Sequence, residues 1–190
     1  MAKALRALFS ALRDHAGDAL LRSLKLHFIG TSYAAAGAGT PSVAPIAAEF
    51  GLEHVVTESP DRIDYARALW CLRNADALIV PGSDDPAYTA SKIYPYLLAG
   101  RPMLAIFHER STVVELVANV GGAVCVAFTG DDDETAVARR IAEQWLAPGA
   151  HRSPVPLDRQ AFHAYSDTGC AVQMAAFFDA CIGDAGAGDP

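Results

Sequence analysis

The stretch DALIVPGSDDPAYTASKIYPYLLAGRPMLAIF, residues 76–107, decides how the chain is read. It opens with an apolar run at 77–80, bounded by Asp76 and by Pro81-Gly82. A short apolar run followed by turn residues reads as a strand buried on both faces. A polar loop at 82–90 supplies Ser, Asp and Thr. Ser91-Lys92 then leads into an amphipathic stretch with Ile93, Tyr94, Leu97 and Leu98, and Gly100 just past its end is a helix stop. After Arg101-Pro102, a second apolar run fills 103–107. Strand, loop, helix, strand is one βαβ unit of a parallel sheet.

Such a unit predicts where a ligand sits. Loops leaving the carboxyl ends of parallel strands form the binding crevice. The helix start at Ser91 is expected to present free N–H groups and the positive end of the helix dipole. A phosphate there would be held by those N–H groups, by the hydroxyls of Thr89 and Ser91, and by the Lys92 ammonium. The plainer reading makes Ser91 a helix cap and Lys92 a solvated charge.

The same alternation continues on both sides. Residues 24–29 read as a strand ending in Gly30-Thr31-Ser32-Tyr33, and 34–42 as an Ala- and Gly-rich loop. A helix over 43–50 stops at Gly51, and 54–57 is a short strand. Ser59-Pro60-Asp61 is a turn. A helix over 63–74 is expected to turn Tyr65, Leu69 and Leu72 inward. C-terminal to the central unit, Ser111 caps a helix ending at Gly121-Gly122, followed by a strand at 123–128. A helix over 134–146 has Val137, Ile141 and Trp145 inward. The alternation predicts an α/β, Rossmann-like open parallel sheet flanked by helices on both faces.

At the N-terminus, 1–21 reads as an amphipathic helix with Leu5, Leu8, Phe9 and Leu12 on one face, expected to pack on the domain rather than on a membrane. The predicted organisation is an N-terminal helix or connector at 1–23, a Rossmann-like domain at 24–147, a linker and helical region at 148–182, and a disordered tail at 183–190. The linker begins with three prolines at 148–156, and the helical region carries Phe162, Tyr165, Phe177 and Phe178.

Bulk composition excludes several classes. With 190 residues, 52% hydrophobic and 19% charged, the chain is globular. A formal net charge of −7 with no basic run argues against a nucleic-acid surface. No run is long enough to span a bilayer, and the N-terminus lacks a secretory pattern. Cys71, Cys125, Cys170 and Cys181 have no C-x-x-C spacing, so they read as reduced, mostly buried residues of a cytoplasmic protein, with no metal site.

The segment A-D-A-L-I-V-P at 75–81, followed by S-K-I-Y-P-Y-L-L-A-G-R-P-M-L-A at 91–105, resembles the nucleotide-sugar-binding half of GT-B fold glycosyltransferases, in particular the retaining family-4 type. That family carries an (A/C)-D-hydrophobic strand, a polar loop, S-K-hydrophobic-hydrophobic-E-Y-hydrophobic-A-x-G-x-P and a further strand. The order of elements matches from about Leu24 onward. The resemblance implies a donor-binding domain that takes a nucleoside diphosphate sugar and needs no metal or other cofactor. An N-terminal acceptor-binding domain or a separate subunit would complete the transferase, and this chain alone is expected to be inactive. Any membrane association would run through such a partner, and no nucleic acid is expected. The last helix, 161–182, would leave the domain and pack on the other half.

Site residues follow from the same resemblance. Gly30 and Thr31 would face the donor phosphates, although the Arg-x-x-x-x-Lys expected nearby is missing. The segment with Glu58 would cradle the base, and Arg62 would pair with a phosphate or, more plainly, with Asp61 or Glu58. Ser83, Asp84 and Asp85 lie in the loop that touches the sugar, with Asp84 and Asp85 covering the role of the family's loop carboxylate. Tyr88 and Tyr94 would stack on the nucleotide or pack the interior edge. Lys92 would neutralise the departing phosphate. Pro95 is a departure: it stands where a ribose-binding Glu is expected, and proline accepts no hydrogen bond from a diol through its side chain. The alternative to a transferase domain is a nonenzymatic Rossmann-like binding or scaffold module with a degenerate nucleotide site. An epimerase half or a flavodoxin-like protein fits less well, because neither G-x-G-x-x-G nor a flavin phosphate loop is present.

Overall fold

The apolar runs become five short parallel strands: β1 (Leu26–Ile29), β2 (Val56–Ser59), β3 (Leu78–Pro81), β4 (Met103–His108) and β5 (Val124–Phe128). The computed structural model describes residues 1–35, 37–85, 87–88 and 90–186, without the side chains of 18 and 183–186. The chain is α/β throughout, but the expected single sheet is two parallel ladders. β1 pairs with β2, Leu26 opposite Val56, and β3-β4-β5 form the other, with Leu78 opposite Met103 and Leu104 opposite Val124. Among the described residues no ladder joins them. Side chains from both ladders nevertheless share one apolar layer, with Leu26 and Val56 meeting the same core as Leu104, Ile106, Val126 and Phe128.

That core is covered by three helices: α1 (Ala2–His15), α3 (Ala44–Glu49) and α7 (Glu134–Ile141). The expected apolar stripe is buried in it: Leu5, Leu8, Phe9 and Leu12 are all at or below 4% exposure. Each such side chain contributes about 1.5–3 kcal/mol by leaving water. The single helix expected over 1–21 is instead two, because Ala16-Gly17 adopt extended backbone before α2 (Asp18–Ser23). The second core lies on the other face of β3 and β4, where Leu78, Met103, Ala105 and Phe107 meet α5 (Ile93–Leu98), α6 (Thr112–Val120) and Phe162 of α8 (Arg159–Phe162). Every residue of β4 is buried, as its unbroken apolar sequence requires.

Several stop signals hold. Gly51, Gly100 and Gly121 all adopt positive φ just past helix ends. Ser111 caps α6 through the Val113 N–H at 3.3 Å. The helix expected over 134–146 is α7 continued by a π-helical turn, Ala142–Leu146, that buries Trp145. Two burial expectations change. α4 (Tyr65–Asn74) buries none of its residues, and Tyr65 is 73% exposed; Asp64 caps α4 from the Arg67 N–H, and only Leu72 and Ala75 reach the second core. Cys71 and Cys125 are half-buried, but Cys170 and Cys181 are exposed on α9 (Asp167–Gly186), so the cysteines are not mostly buried. All four are free thiols. α9 projects from the body with Val172, Met174, Phe177, Phe178 and Ile182 exposed, and it turns 183–186 of the expected tail into helix. Residues 187–190 lie outside the described residues. Among the described residues, no helix is long and apolar enough to cross a membrane.

Candidate functional site

Parallel strands send all their carboxyl-end loops to one edge, and the residues singled out by sequence collect there. The loop after β1 is pinned first. Beyond the last ladder residue, the Gly30 N–H donates to the Ser59 carbonyl at 2.9 Å and the Ser32 N–H to the Pro60 carbonyl at 3.0 Å. Gly30 sits at φ +70, left-handed backbone that glycine adopts without strain. The chain therefore turns sharply and sends the Tyr33 ring outward at 79% exposure.

Glu58 organises the inner side of this loop. One carboxylate oxygen accepts from the Thr31 hydroxyl at 2.5 Å and the Ser42 N–H at 2.9 Å, and the other from the N–H groups of Val43 at 2.9 Å and Ala44 at 2.7 Å. It thus serves as the anionic cap of α3. Burial pushes the Glu58 carboxyl pKa up, but the Thr31 hydroxyl and the amides of Ala44, Ser42 and Val43 outweigh it, so the net shift is downward. Both oxygens are engaged inside the protein, and the segment Thr57-Glu58-Ser59 offers a ligand its backbone and the Ser59 side rather than this carboxylate.

Two cations converge on the outer side. The Arg62 guanidinium carbon lies 4.5 Å from the centroid of the Tyr33 ring, and Lys92 Nζ lies 5.9 Å from it. Arg62 comes from the turn after β2 and Lys92 from the turn after the β3 loop. Among the described residues neither forms a salt bridge, and the alternative pairing of Arg62 with Asp61 or Glu58 is absent. Asp61 instead accepts the Gly37 N–H at 3.1 Å. The missing Arg-x-x-x-x-Lys is thus matched in charge, though not in spacing, by one Arg and one Lys from separate loops. Tyr33 is the residue sequence reasoning passed over. Its signal was an aromatic directly after a Gly-Thr-Ser strand end.

The loop after β3 passes over β4. The Gly82 N–H donates to the Ile106 carbonyl at 2.7 Å, and a Cβ on Gly82 would overlap the Phe107 ring, so only glycine fits. Ser83 Oγ accepts the Asp85 N–H at 3.1 Å, and Asp85 accepts the Ala87 N–H at 2.9 Å. Asp84 pairs with the Met1 ammonium at 3.2 Å, because α1 begins at the same edge of the sheets. Tyr88 is half exposed, and its carbonyl accepts from the Ser111 hydroxyl at 3.4 Å. Thr89 lies outside the described residues.

The helix start differs from expectation. α5 begins at Ile93, with Ser91-Lys92 forming a turn closed by the Ile93 N–H to the Ala90 carbonyl at 3.0 Å, and no side chain caps it. Ser91 and Lys92 therefore precede the helix and are exposed. Pro95 is the third residue of α5, within the first turn, where its missing N–H costs nothing. Tyr94 turns into the second core against Phe162 and Tyr165, at ring separations of 6.3 Å and 6.1 Å. With Ala90, Thr112, Glu115 and Tyr165 it lines a cavity of about 220 Å³ between α5 and α6. His108 is buried, edge-on to Phe128, with Nδ1 accepting the Arg110 N–H at 3.2 Å, a structural placement. Among the described residues no three His, Cys, Asp or Glu side chains gather as metal ligands.

The structure thus brings Arg62 and Lys92 together at Tyr33, on the loop that holds Gly30 and Thr31, keeps Glu58 on the inner side of that loop, leaves Ser83, Asp84 and Tyr88 on the loop after β3, and turns Tyr94 inward. Chemically, the cluster can hold an anion with two cations and loop backbone. No family model, no curated protein and no solved structure matches this chain.

Proposed function

We propose that this chain is the donor-binding domain of a retaining, metal-independent glycosyltransferase, one half of a GT-B fold whose other half is an acceptor domain or a separate subunit. The nucleoside diphosphate sugar lies across the carboxyl edge of β1, β2 and β3. Its pyrophosphate is held by Arg62 and Lys92 with the amides of the Gly30–Tyr33 turn, and the base lies against the backbone after β2. The sugar meets the loop with Ser83, Asp84 and Tyr88, and Ser91 adds a hydroxyl beside the phosphate. Arg62 and Lys92 stabilise the charge that builds on the departing diphosphate, the main electrostatic task of such a site.

One observation carries this reading: in a chain of net charge −7, an Arg and a Lys from different loops come together at the carboxyl edge with no acidic partner among the described residues. Like charges brought together without a counter-ion repel, and an anionic ligand removes that cost. The test is thermal unfolding with nucleoside diphosphates, free nucleosides and inorganic pyrophosphate. A diphosphate at a hundred times its Kd adds about 2.7 kcal/mol of stability, whereas a nucleoside adds little. No shift with any diphosphate overturns the proposal.

A second reading has its own support. Pro95 stands where the resembled family carries a ribose-binding Glu, and the Glu58 carboxylate is committed to α3, which favours a binding or scaffold module whose nucleotide site has decayed. A protein that gains stability from pyrophosphate but no more from nucleoside diphosphates fits this second reading.

A further inference from the structure

We infer that Tyr33 is a positioning residue of the anion site: its ring gathers Arg62 and Lys92, two cations from separate loops, onto one ligand. The inference rests on the reading of that cluster as a diphosphate site and adds a residue and a mechanism to it. Arg62 and Lys92 lie 4.5 Å and 5.9 Å from a single ring centroid. Without an intervening group, two exposed cations on separate turns would spread apart, because each lowers its energy by moving toward water and away from the other. The negative face of an aromatic ring attracts both. The ring stands ready before any ligand arrives, because the backbone carrying it is fixed by Gly30 to Ser59 and Ser32 to Pro60. Thr31 on Glu58 fixes it further.

The ring's own role is not to pack a core. Tyr33 is 79% exposed, and among the described residues its hydroxyl makes no hydrogen bond. Burial therefore does not explain an aromatic side chain here, whereas recognition by its π face does. The hydroxyl is dispensable on this account, and the π system is not. A leucine would cover part of the same surface without attracting either cation.

The experiment titrates inorganic pyrophosphate and a nucleoside diphosphate into wild type, Tyr33→Phe, Tyr33→Leu, Arg62→Ala and Lys92→Ala, by calorimetry at low and at moderate salt. Wild type and Tyr33→Phe are expected to bind within twofold of each other. Tyr33→Leu is expected to bind about fivefold or more weakly, the loss implied by one or both cation–π contacts at an exposed site. All five proteins should melt together, since none of these side chains is buried. Equal binding by Tyr33→Leu and wild type, with Arg62→Ala and Lys92→Ala both weakened, overturns the role of Tyr33 and leaves the site standing. Loss in Tyr33→Phe equal to that in Tyr33→Leu also overturns it, because the hydroxyl would then be the active group. Absence of binding by wild type overturns the site itself and this inference with it.

Discussion

β4 and β1 are both short parallel strands, yet all six residues of β4 are buried, whereas in β1 only Leu26 is, and His27 and Ile29 are exposed. The difference lies in what covers them. β4 has α1 and α7 on one face and α5 and α6 on the other. β1 and β2 are covered on the face that carries Leu26, Phe28 and Val56, while His27, Ile29 and Thr57 on the other face stand exposed. The half of the molecule with two covered faces supplies rigidity. The half with one supplies Tyr33 and Arg62 on loops that a ligand can reach, a division in which a packed scaffold positions exposed functional loops.

Mutation should separate the halves by size of effect. Phe107→Ala, in the doubly covered half, is expected to cost about 3–5 kcal/mol in urea unfolding. An effect near zero would mean that this half is not the stable one. Gly82→Ala should cost about 1–3 kcal/mol, because its Cβ would overlap the Phe107 ring and approach the Ile106 carbonyl at 2.8 Å. Glu58→Ala, in the open half, removes the acceptor for three amides and the Thr31 hydroxyl, and should cost about 1–2 kcal/mol. It should also loosen the Gly30–Tyr33 turn, which hydrogen exchange at Ser32 would detect.

Much of this was legible in the sequence, and the reasons are specific. The 76–107 stretch foretold β3, α5 and β4 because a continuous apolar run and a Gly stop leave few alternatives. The stripe of Leu5, Leu8, Phe9 and Leu12 foretold a packed helix. The separation into two ladders was not legible, because strand pairing is a non-local property that short four-residue strands do not encode. Nor was the exposure of Tyr65: an aromatic in a helix reads as buried unless one knows that its layer is thin. Within the site, Arg62 and Lys92 were visible as candidates one at a time. Their meeting at Tyr33 was not, since residues 33, 62 and 92 approach one another only through the fold.

Two smaller effects sharpen the contrast. Asp132 closes the turn between β5 and α7. The Arg140 side chain first, then the Thr129 N–H, hold its pKa down to about 2. A carboxyl depressed from its usual value of about 3.9 stabilises the fold above that value, and the contribution is lost as pH falls toward 2. Asp132→Asn should therefore flatten the acid limb between about pH 4 and pH 2, and cost no more than about 1 kcal/mol at neutral pH, the range of a solvent-accessible pair. An unchanged acid limb would remove Asp132 from the account. Ile29→Ala, on the uncovered face, should change stability by about 0.5 kcal/mol or less. A loss comparable to Phe107→Ala would show that this face is covered in solution.

The central claim is that a diphosphate lies between Arg62 and Lys92. Backbone amide chemical shifts, recorded while a nucleoside diphosphate is added to the intact chain, test it most directly. The account predicts the largest changes at Gly30–Tyr33, at Arg62 and at Ser91–Ile93, with small ones at Glu115 and Tyr165 around the cavity between α5 and α6. Changes centred on that cavity, or none anywhere at millimolar ligand, would contradict it.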